Sequence, residues 1–520
     1  MDKLKVLTLG VCLLPFIGFA PAFAEASADG QDRPNIVLFL VDDMGLMDTS
    51  VPMLIDEEGK PQRHPLNDWY RTPNMERLAA MGIRFSNFYS HSVCSPSRIS
   101  IMNGQNAARH RTTDYIHAYE NNRDMDTRGS PLAISQRVPP EWNWEGLTEE
   151  DITLPALLKQ VGYTTIHIGK GHFAPDQRPG TDPRNLGFDV NIGGSAIGRP
   201  DSYYGERNYG KGTEVAVPHL EKYHGTDTFL TEALTLEAKV GLDKALAVEK
   251  PFFLYMSHFA VHSPFDSDPR FANHYEDSDK NKRAQAYATL VEGMDKSLGD
   301  LMDYLGEKGV AENTLIFFLS DNGGDAPLVG PDAISSSAPL RGMKGSKWEG
   351  GVRVPFIAAW GKANPSNPWQ KKLPIPAGRI RPEIGVCYDL FPTILNLVGV
   401  SIPVDHHVDG QDLSRLLEGK SDRKRRAEFL NHYPHPRRGK SHFFTTWRKG
   451  SWKLRYDYFA DADHRYGLYN LTSDPTESRN LAIEFPEQLR SMMQDMVREL
   501  RSMDAVYPLI NGRSLEPVVP

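Results

Sequence analysis

Four short, continuously apolar runs constrain the fold of this chain most strongly. They cover residues 35–41, 164–169, 251–257 and 314–320. A run that is apolar throughout, rather than at alternate positions, is typical of a strand that is buried on both faces of a parallel sheet. The stretches between the runs are long enough for the crossover helices that parallel strands require. The sequence therefore predicts an α/β domain with a large, mixed but mostly parallel sheet flanked by helices.

Polar side chains follow each of these runs at the point where the strand would end. The residues at these exits are Asp42 and Asp43, Lys170 and His172, His258 and His262, and Asp321 and Asn322. Ligands of open α/β sheets bind outside the carboxyl ends of parallel strands. We therefore expect these side chains, although distant in sequence, to converge on one edge of the sheet.

The acidic exits predict a metal site. Asp42, Asp43, Asp321 and Asn322 offer hard oxygen ligands with no soft ligand beside them, a set that suits Ca²⁺ or Mg²⁺. A single aspartate after a strand is as readily explained as a turn or helix cap. Several carboxylates crowded together without a cation would repel one another, so the matched acidic exits favour a divalent cation.

The basic residues predict an anion site beside that cation. Arg98, Lys170 and Lys344, together with His172 and His262, would bind a tetrahedral anion. Lys344 stands in a glycine-rich loop that runs into a strand, where the backbone can approach a ligand closely. The alternative for Lys344 is a solvated loop charge.

The charge and the N-terminal segment restrict the class of protein. The chain has 520 residues and a formal net charge of -8, which argues against nucleic acid as a partner. Residues 1–24 combine a basic start, a short apolar run and a small-residue exit, so they predict a signal peptide cleaved after Ala24 and a secreted or periplasmic protein. The apolar run is too short to span a membrane comfortably. A lipid anchor at Cys12 is the alternative.

The chain is too long for one ordinary core, so we expect two folded parts after the signal peptide. The prediction is a catalytic domain over residues 25–402 and a C-terminal α+β subdomain over residues 403–520, with a small antiparallel sheet and a helix from about 486 to 503. A histidine- and arginine-rich run in this subdomain is either a surface for a polyanion or a solvated strand edge. Its residues are His432, His435, Arg437, Arg438, Lys440 and His442.

Removal of the signal peptide leaves two cysteines, Cys94 and Cys387. They could form a disulfide in an oxidising compartment, or Cys387 could be a buried thiol in its apolar surroundings. Ser95 and Pro96 follow Cys94 and predict a helix start, whose amide groups would point at an anion.

Four motifs add a family resemblance to these expectations. Residues 91–98 contain Cys94, Pro96 and Arg98 in a Cys-x-Pro-x-Arg spacing, and residues 162–172, 72–82 and 468–481 carry further signatures. Together they resemble the formylglycine-dependent (type I) sulfatases of the alkaline phosphatase superfamily, including bacterial polysaccharide sulfatases, from residue 35 to about residue 482. The family more often has threonine or alanine where Asn103 stands.

The resemblance implies a particular chemistry at Cys94. In this family a separate formylglycine-generating enzyme oxidises the cysteine to an aldehyde, 3-oxoalanine, and the hydrate of the aldehyde attacks the sulfur of a sulfate ester. A hydrate oxygen is a hard ligand, so the modified Cys94 would join the metal shell. The resemblance implies Ca²⁺, in preference to Mg²⁺, bound by Asp42, Asp43, Asp321, Asn322 and the modified Cys94.

The resemblance also implies roles for the basic residues. Lys170 and Lys344 would hold the sulfate oxygens, and Arg98 would orient the hydrate. His172 would take a proton from the hydrate, and His262 would protonate the leaving alcohol. His258 is either a further substrate contact or a hydrogen-bonded core histidine.

Two long stretches at the catalytic edge, residues 44–71 and 109–148, are expected to shape substrate selection. Trp69, Trp142 and Trp144 could stack on sugar rings, and Arg109, His110 and Arg111 could bind further anionic groups, unless they serve local packing. We therefore expect a sulfuric ester hydrolase that acts on a sulfated carbohydrate.

Three alternatives remain from the sequence. The first is an arylsulfatase of broad specificity. The second is a phosphodiesterase or phosphonate hydrolase on the same scaffold, since both anions are tetrahedral. The third is an inactive secreted protein that binds polysaccharide, which would follow if Cys94 were never oxidised.

Overall fold

A computed structural model describes residues 33–118, 136–326, 336–436 and 442–520. The predicted signal peptide, Cys12 and the basic residues 437, 438 and 440 lie outside the described residues.

The regular elements follow one another in an α/β order through the first four hundred residues. The strands are β1 (Asn35–Val41), β2 (Leu54–Ile55), β3 (Pro61–Gln62), β4 (Ile83–Tyr89), β5 (Thr164–Gly169), β6 (Val190–Ile192), β7 (Phe252–Ser257), β8 (Thr314–Ser320), β9 (Arg353–Val354), β10 (Phe356–Trp360), β11 (Arg379–Val386), β12 (Glu428–Tyr433), β13 (Phe444–Lys449), β14 (Trp452–Asp457), β15 (Tyr466–Asn470), β16 (Leu509–Ile510) and β17 (Arg513–Ser514).

The α-helices are α1 (Leu66–Trp69), α2 (Pro73–Met81), α3 (Cys94–Asn103), α4 (Ala107–His110), α5 (Leu154–Gln160), α6 (Leu230–Ala247), α7 (Lys282–Glu307), α8 (Glu349–Val352), α9 (Pro368–Lys372), α10 (Leu390–Val398), α11 (Ser414–Leu417) and α12 (Pro486–Ser502). Short 3₁₀ helices cover Pro179–Thr181, Pro183–Leu186, Gly205–Gly210, Glu221–Tyr223, Ala272–His274, Ala311–Asn313 and Cys387–Asp389.

The four apolar runs form neighbouring strands at the centre of one sheet. The order of this nine-stranded sheet is β11-β4-β10-β8-β1-β7-β5-β6, with β9 paired to β4. Strands β8, β1, β7, β5 and β6 are parallel, whereas β10 is antiparallel to both of its neighbours. The predicted strand bounds are confirmed, except that β7 begins at Phe252. Pro251 has no amide hydrogen, and its carbonyl accepts a hydrogen bond from Thr164 N.

Each face of the sheet packs against its own layer of helices, which explains why β1, β7 and β8 are mainly apolar. In β1, Val37 and Phe39 belong to a core cluster that includes residues of α6 and α7. The intervening Ile36 and Leu38 belong to a second cluster that includes residues of α3 and α10. Since successive side chains of a strand point to opposite faces, a strand between two helix layers buries both sets of side chains, including the polar Thr165 and His167 of β5.

A second, smaller sheet follows in the chain, as predicted. Its four antiparallel strands have the order β12-β13-β14-β15. The amphipathic helix α12 places Met493, Met496 and Leu500 in one cluster with Leu454 and Leu468 of this sheet. Within the described ranges, none of the helices is both long and apolar enough to cross a membrane.

Candidate active site

The strand order brings the polar exits together at one edge of the large sheet. Strands β8, β1, β7 and β5 are consecutive, so the segments that follow them are neighbours. Backbone hydrogen bonds fix these segments to one another: Asp42 N donates to Ala260 O (2.9 Å), and Lys170 N donates to Ser257 O (2.7 Å). Asp321 N donates to Val41 O at 3.1 Å. The predicted convergence of these exits is therefore present in the fold.

Three buried ion pairs occupy this edge. Lys170 Nζ lies 2.7 Å from Asp42 Oδ2, and both side chains are completely buried. Arg98 donates to Asp321 Oδ2 from Nε at 2.9 Å, and its Nη2 lies 2.8 Å from the same oxygen.

The third pair joins Lys344 Nζ to Asp43 Oδ1. Lys344 is 8% exposed, so it is not the solvated loop charge that the sequence left open.

Two of the exit residues have an unusual backbone conformation. Asp43 has a φ of 61° and His172 has a φ of 59°, in the left-handed region that residues other than glycine rarely adopt. Such conformations cost free energy and are concentrated at functional sites. They turn the chain sharply after β1 and β5 and keep both side chains at the sheet edge.

Cys94 is the first residue of α3, whose residues are all buried. The predicted helix start at Ser95 and Pro96 is displaced by one residue, because Val93 is the N-cap. Ser95 does not cap the helix; its Oγ accepts a hydrogen bond from Ile116 N at 3.0 Å. The guanidinium of Arg98, one turn later, donates to Ser257 Oγ at 2.6 Å and thereby connects α3 to the end of β7.

The two described cysteines are both free and buried, so they do not form the disulfide that the sequence allowed. Burial raises the pKa of the Cys387 thiol to about 12. Cys387 is therefore a small apolar core residue, as its surroundings predicted.

The acidic residues fit a divalent cation. Asp42 Oδ1 and Asn322 Oδ1 are buried oxygens for which the described residues provide no hydrogen-bond donor. Ligand atoms of Asp42, Asp43 and His262 lie within 4.8 Å of one another. Buried oxygens that accept no hydrogen bond are available as ligands for a hard cation. The sequence predicted the carboxylates and Asn322 but did not predict His262 as part of this cluster.

The charges at the edge shift one another's ionisation. Burial raises the pKa of Asp42 well above its ordinary value, although Lys170 opposes the shift. Burial acts in the same direction on Asp43, but Lys344 and His262 outweigh it and lower the pKa of that carboxyl. Burial likewise opposes the charge of Lys344, yet Asp43 and Cys94 raise the pKa of its ammonium group.

Hydrogen bonds distinguish the two nitrogens of each site histidine. His172 Nε2 lies 2.5 Å from Ile116 O, so Nε2 carries the hydrogen and Nδ1, which is buried without a partner among the described residues, is the basic nitrogen. His262 Nδ1 lies 2.9 Å from Ser263 O, and its Nε2 lies 3.5 Å from Asp43 Oδ2. Burial lowers the pKa of both imidazoles, helped by Lys170 at His172 and by Lys344 at His262.

Four residues that the sequence offered as substrate contacts have structural partners instead. His258 is completely buried, and its Nε2 lies 2.9 Å from Ser297 Oγ, which is the core position that the sequence gave as the alternative. Arg109 binds both carboxylate oxygens of Asp409. The nitrogens of His110 contact Ser100 Oγ and Thr112 N. Trp142 is 5% exposed and packs edge-on against His435.

Local packing also accounts for other residues of the long loops. Trp69 packs against Tyr275, and the guanidinium of Arg178 lies over the ring of Trp144. Both alternatives for the histidine- and arginine-rich run, a polyanion surface and a solvated strand edge, are wrong for His432 and His435, which are each 1% exposed. A periodic pattern does not reveal which of two strand faces is covered, and here the segment after α12, through Val506, covers His432 and the segment around Thr113 covers His435.

Burial of neutral histidines predicts that acid destabilises the fold. Desolvation is the largest cause that lowers the pKa of six histidines to about 3 or about 4: His91, His110, His167, His258, His432 and His435. The pKa of a histidine in an unfolded chain is about 6.5. The stabilisation is therefore complete above that pH and is lost as the pH falls toward the folded-state values, at about 1.4 kcal/mol per pH unit for each histidine.

Urea unfolding at pH 4 to 7 measures this effect. We expect His258→Gln to reduce the pH dependence of the unfolding free energy by about 1.4 kcal/mol per pH unit. His464→Gln, at a side chain that is 78% exposed, is measured alongside as the control for the substitution itself. Equal slopes in wild type and His258→Gln would contradict the prediction.

Sequence reasoning missed two residues that support the site. Ser257 is the last residue of β7 and accepts the hydrogen bond from Arg98 described above. Its position at the end of a predicted strand could have identified it as a site residue. Tyr203 is buried, and its hydroxyl donates to Phe259 O and His262 O, both at 2.8 Å. No motif marks Tyr203, because its role depends on a loop that returns to the sheet edge.

Comparison with known proteins identifies the family. A family model described as "Sulfatase" matches residues 34–400, which is more than half of the chain. The chain belongs to the sulfatase family. It is a sulfuric ester hydrolase, and its fold is the alkaline phosphatase-like fold predicted above. A second model, "N-sulphoglucosamine sulphohydrolase, C-terminal", matches residues 348–505 of this sulfatase.

Individual relatives extend the similarity over most of the sulfatase. It is 30% identical over 408 residues to the N-acetylgalactosamine-6-sulfatase of Canis lupus familiaris, which covers 76% of this chain and 67% of the relative. It is 27% identical over 542 residues to a sulfatase of Formosa agariphila, covering 93% and 90% of the two chains. Among solved structures, Ps i-CgsB superposes with a TM-score of 0.68 at 24% identity, covering 90% of this chain and 92% of that one.

Proposed function

We propose that this sulfatase removes sulfate from a sulfated carbohydrate and that its nucleophile is made by oxidation of Cys94. One observation carries the proposal: Cys94 begins a buried helix at the sheet edge where the three carboxylate–cation pairs meet. A helix start at this edge directs free amide groups toward an anion. Hydrogen bonds and charges support the roles that we propose for the individual residues.

The charge balance of the site favours an anionic substrate. Three carboxylates face three basic side chains: Asp42, Asp43 and Asp321 against Arg98, Lys170 and Lys344. These formal charges cancel, so a bound divalent cation would leave the site positive. A positive, buried site is suited to hold a sulfate ester and to stabilise negative charge that develops on its oxygens.

We assign the cation site to Asp42, Asp43, Asp321 and Asn322, joined by the modified Cys94, and we propose Ca²⁺ as the ion. Calcium accepts six to eight oxygen ligands in irregular geometry, whereas magnesium demands a near-ideal octahedron. The buried Oδ1 atoms of Asp42 and Asn322, which accept no hydrogen bond from the described residues, support this assignment. When bound, the cation would lower the pKa of the oxidised side chain's hydrate and so supply an oxygen nucleophile.

The remaining side chains would bind the anion and move protons. Lys170 and Lys344 would bind sulfate oxygens as point charges, while Arg98 holds the turn of α3 that carries Cys94 against Asp321 and Ser257. His172 would accept a proton at Nδ1, because its Nε2 hydrogen is committed to Ile116 O.

His262 would protonate the leaving alcohol from Nε2. Its Nδ1 hydrogen is directed at Ser263 O, which leaves Nε2 facing the acidic cluster. Negative charge on a bound ester would raise the pKa of this imidazole and favour the protonated form that a general acid requires.

The carbohydrate substrate is proposed from a relative. The canine protein that shares 30% identity over 408 residues is named for a sulfated sugar, N-acetylgalactosamine 6-sulfate. Export, which residues 1–24 predict, would bring the enzyme into contact with external polysaccharides. We further propose maturation by a formylglycine-generating enzyme, with a catalytic domain over residues 25–402 and a C-terminal subdomain over residues 403–520.

A substrate panel tests this proposal. Purified protein is assayed for inorganic sulfate release from defined sulfated oligosaccharides and from a small aryl sulfate, and for turnover of matched phosphodiester and phosphonate esters. We expect the highest kcat/KM on an oligosaccharide. Turnover confined to aryl sulfates would contradict the carbohydrate assignment, and faster turnover of the phosphorus esters would contradict the sulfate assignment. Carbohydrate binding without any turnover would indicate an inactive binding protein.

A further inference from the structure

A cluster of buried charges lies between the large sheet and the small sheet. Glu349 is completely buried, and its Oε2 accepts a hydrogen bond from Tyr89 Oη at 2.7 Å. Lys453 Nζ, from β14, lies 3.0 Å from Glu349 Oε1 and 2.8 Å from Glu477 Oε1. Glu477 follows β15, and its Oε2 accepts a hydrogen bond from Glu349 N at 2.7 Å. We call Tyr89, Glu349, Lys453 and Glu477 the junction cluster.

The junction cluster is not expected to stabilise the fold more than apolar side chains of the same size would. Burial raises the pKa of Glu349, yet Lys453, Arg448 and Arg353 outweigh it and lower that pKa to about 2, so the carboxylate is charged. Well-packed apolar side chains usually stabilise a core as much as a buried ion pair does. Buried ions do fix one arrangement of the segments that carry them, because each partner needs the others in place. A positioning role accounts for the cluster better than stability does.

Two of its members belong to the segments that carry site residues. Tyr89 ends β4 and leads directly into the turn before Cys94. Glu349 begins α8, which follows the loop that carries Lys344. The two segments are joined by backbone hydrogen bonds, from Ser90 N to Val352 O at 2.9 Å and from Gly345 N to Ser92 O at 2.7 Å.

The loop of Lys344 is folded tightly against α8, so movement at Glu349 is transmitted to it. Gly350 N donates to Arg341 O at 2.8 Å. A Cβ atom on Gly350 would lie 2.5 Å from Gly342 O, so the backbone of the loop is in close contact with the backbone of α8. Arg341 also donates from Nη1 to Glu477 O at 3.2 Å, a second link between this loop and the turn of Glu477.

We propose that Lys453 and Glu477 are positioning residues, which act through Glu349 to set Lys344 against Asp43 and beside Cys94. The small sheet thereby completes the active site without contacting the substrate. The consequence for catalysis rests on the proposed function, whereas the mechanical link between Glu477 and the Lys344 loop does not.

Hydrogen exchange tests the mechanical link without any assay of activity. Glu477→Gln keeps the shape of the side chain and removes its charge. We expect amide exchange over residues 340–352 to accelerate by about tenfold, because local opening becomes easier, while β1 and β8 keep wild-type rates. Asp495→Asn is the matched control, since Asp495 pairs with Lys449 of the same small sheet but belongs to α12. If the 340–352 segment exchanges no faster in Glu477→Gln than in Asp495→Asn, the proposal is wrong.

A double-mutant cycle then separates positioning from general damage. We expect Glu477→Gln to lower kcat/KM by about tenfold in the wild-type background, as expected for a misplaced binding group. In a Lys344→Met background the same change should lower the residual kcat/KM less than about twofold, because residues that act as a unit are not additive. Equal losses in both backgrounds would overturn the proposal.

A second variant and the exchange measurement cover the cases in which Glu477→Gln does not fold or the wild-type protein is inactive. Tyr89→Phe conserves the ring but removes the hydroxyl that donates to Glu349 and accepts from Arg448, so it should reproduce the faster exchange if Glu477→Gln does not fold. If the wild-type protein turns over no sulfate ester, the proposed function fails, and the exchange experiment still decides whether Glu477 holds the Lys344 loop.

Discussion

Replacement of Cys94 by alanine is expected to abolish sulfate release, with a loss in kcat of at least about 10³-fold, as is usual when a nucleophile is removed. The change deletes one small buried side chain at the start of α3, so the unfolding free energy should fall by only about 1 kcal/mol. Sulfate release and urea unfolding, measured on the same preparation, check both expectations.

Cys387→Ala is the matched control for this variant. It also removes a buried free thiol, and it should cost similar stability while kcat stays within about twofold. Peptide mass spectrometry completes the test, since active wild-type protein should carry an aldehyde at Cys94 and a thiol at Cys387. An unmodified Cys94 thiol in fully active protein, or a Cys94→Ala variant with near-normal kcat, would refute the assignment of the nucleophile.

Arg98→Met is expected to combine a large loss of stability with a large loss of activity. Arg98 and Asp321 are both completely buried, and the variant leaves the carboxylate without its cationic partner. Removal of one member of a buried ion pair costs about 3–5 kcal/mol. The displaced start of α3 should also lower kcat/KM by about 10²-fold. Urea unfolding and steady-state kinetics measure the two effects.

A chelator makes this prediction specific to the metal site. A divalent cation beside Asp321 would offset part of the lost positive charge, so the destabilisation should be larger in the presence of the chelator. Arg425→Met serves as control because Arg425 forms a buried pair with Asp389, which is not one of the proposed cation ligands. It should cost similar stability whether or not the chelator is present. A chelator effect of equal size in both variants would argue against cation binding at Asp321.

The central strands and the converging exits could be predicted because they depend on local signals. A strand covered by helices on both faces is mainly apolar, and β1, β7 and β8 carry that signal in their own residues. The convergence of the polar residues that follow these strands could be predicted because parallel strands end at the same edge of a sheet. The cysteine signature likewise lies within one turn of α3, so a short motif contained both Cys94 and Arg98.

The substrate contacts could not be predicted in the same way, because their outcome depends on long-range partners. The guanidinium of Arg109 could bind an anionic substrate, yet it forms an ion pair with Asp409, from a distant segment. His258 looks the same in sequence as His262, and only the packing of Ser297 of α7 against it distinguishes a core histidine from a site histidine. Tyr203 and the junction cluster were invisible for the same reason, since none of their contacts is local.

The burial of Cys94 has a consequence for the order of events during biosynthesis. Every residue of α3 is buried, and Cys94 is 4% exposed, so a second enzyme could not reach its sulfur once the sheet had closed around it. The residues of the signature are, in contrast, adjacent along the chain and can be read before any tertiary contact forms. We infer that the proposed oxidation precedes folding, which would make the speed of folding a limit on the fraction of active enzyme.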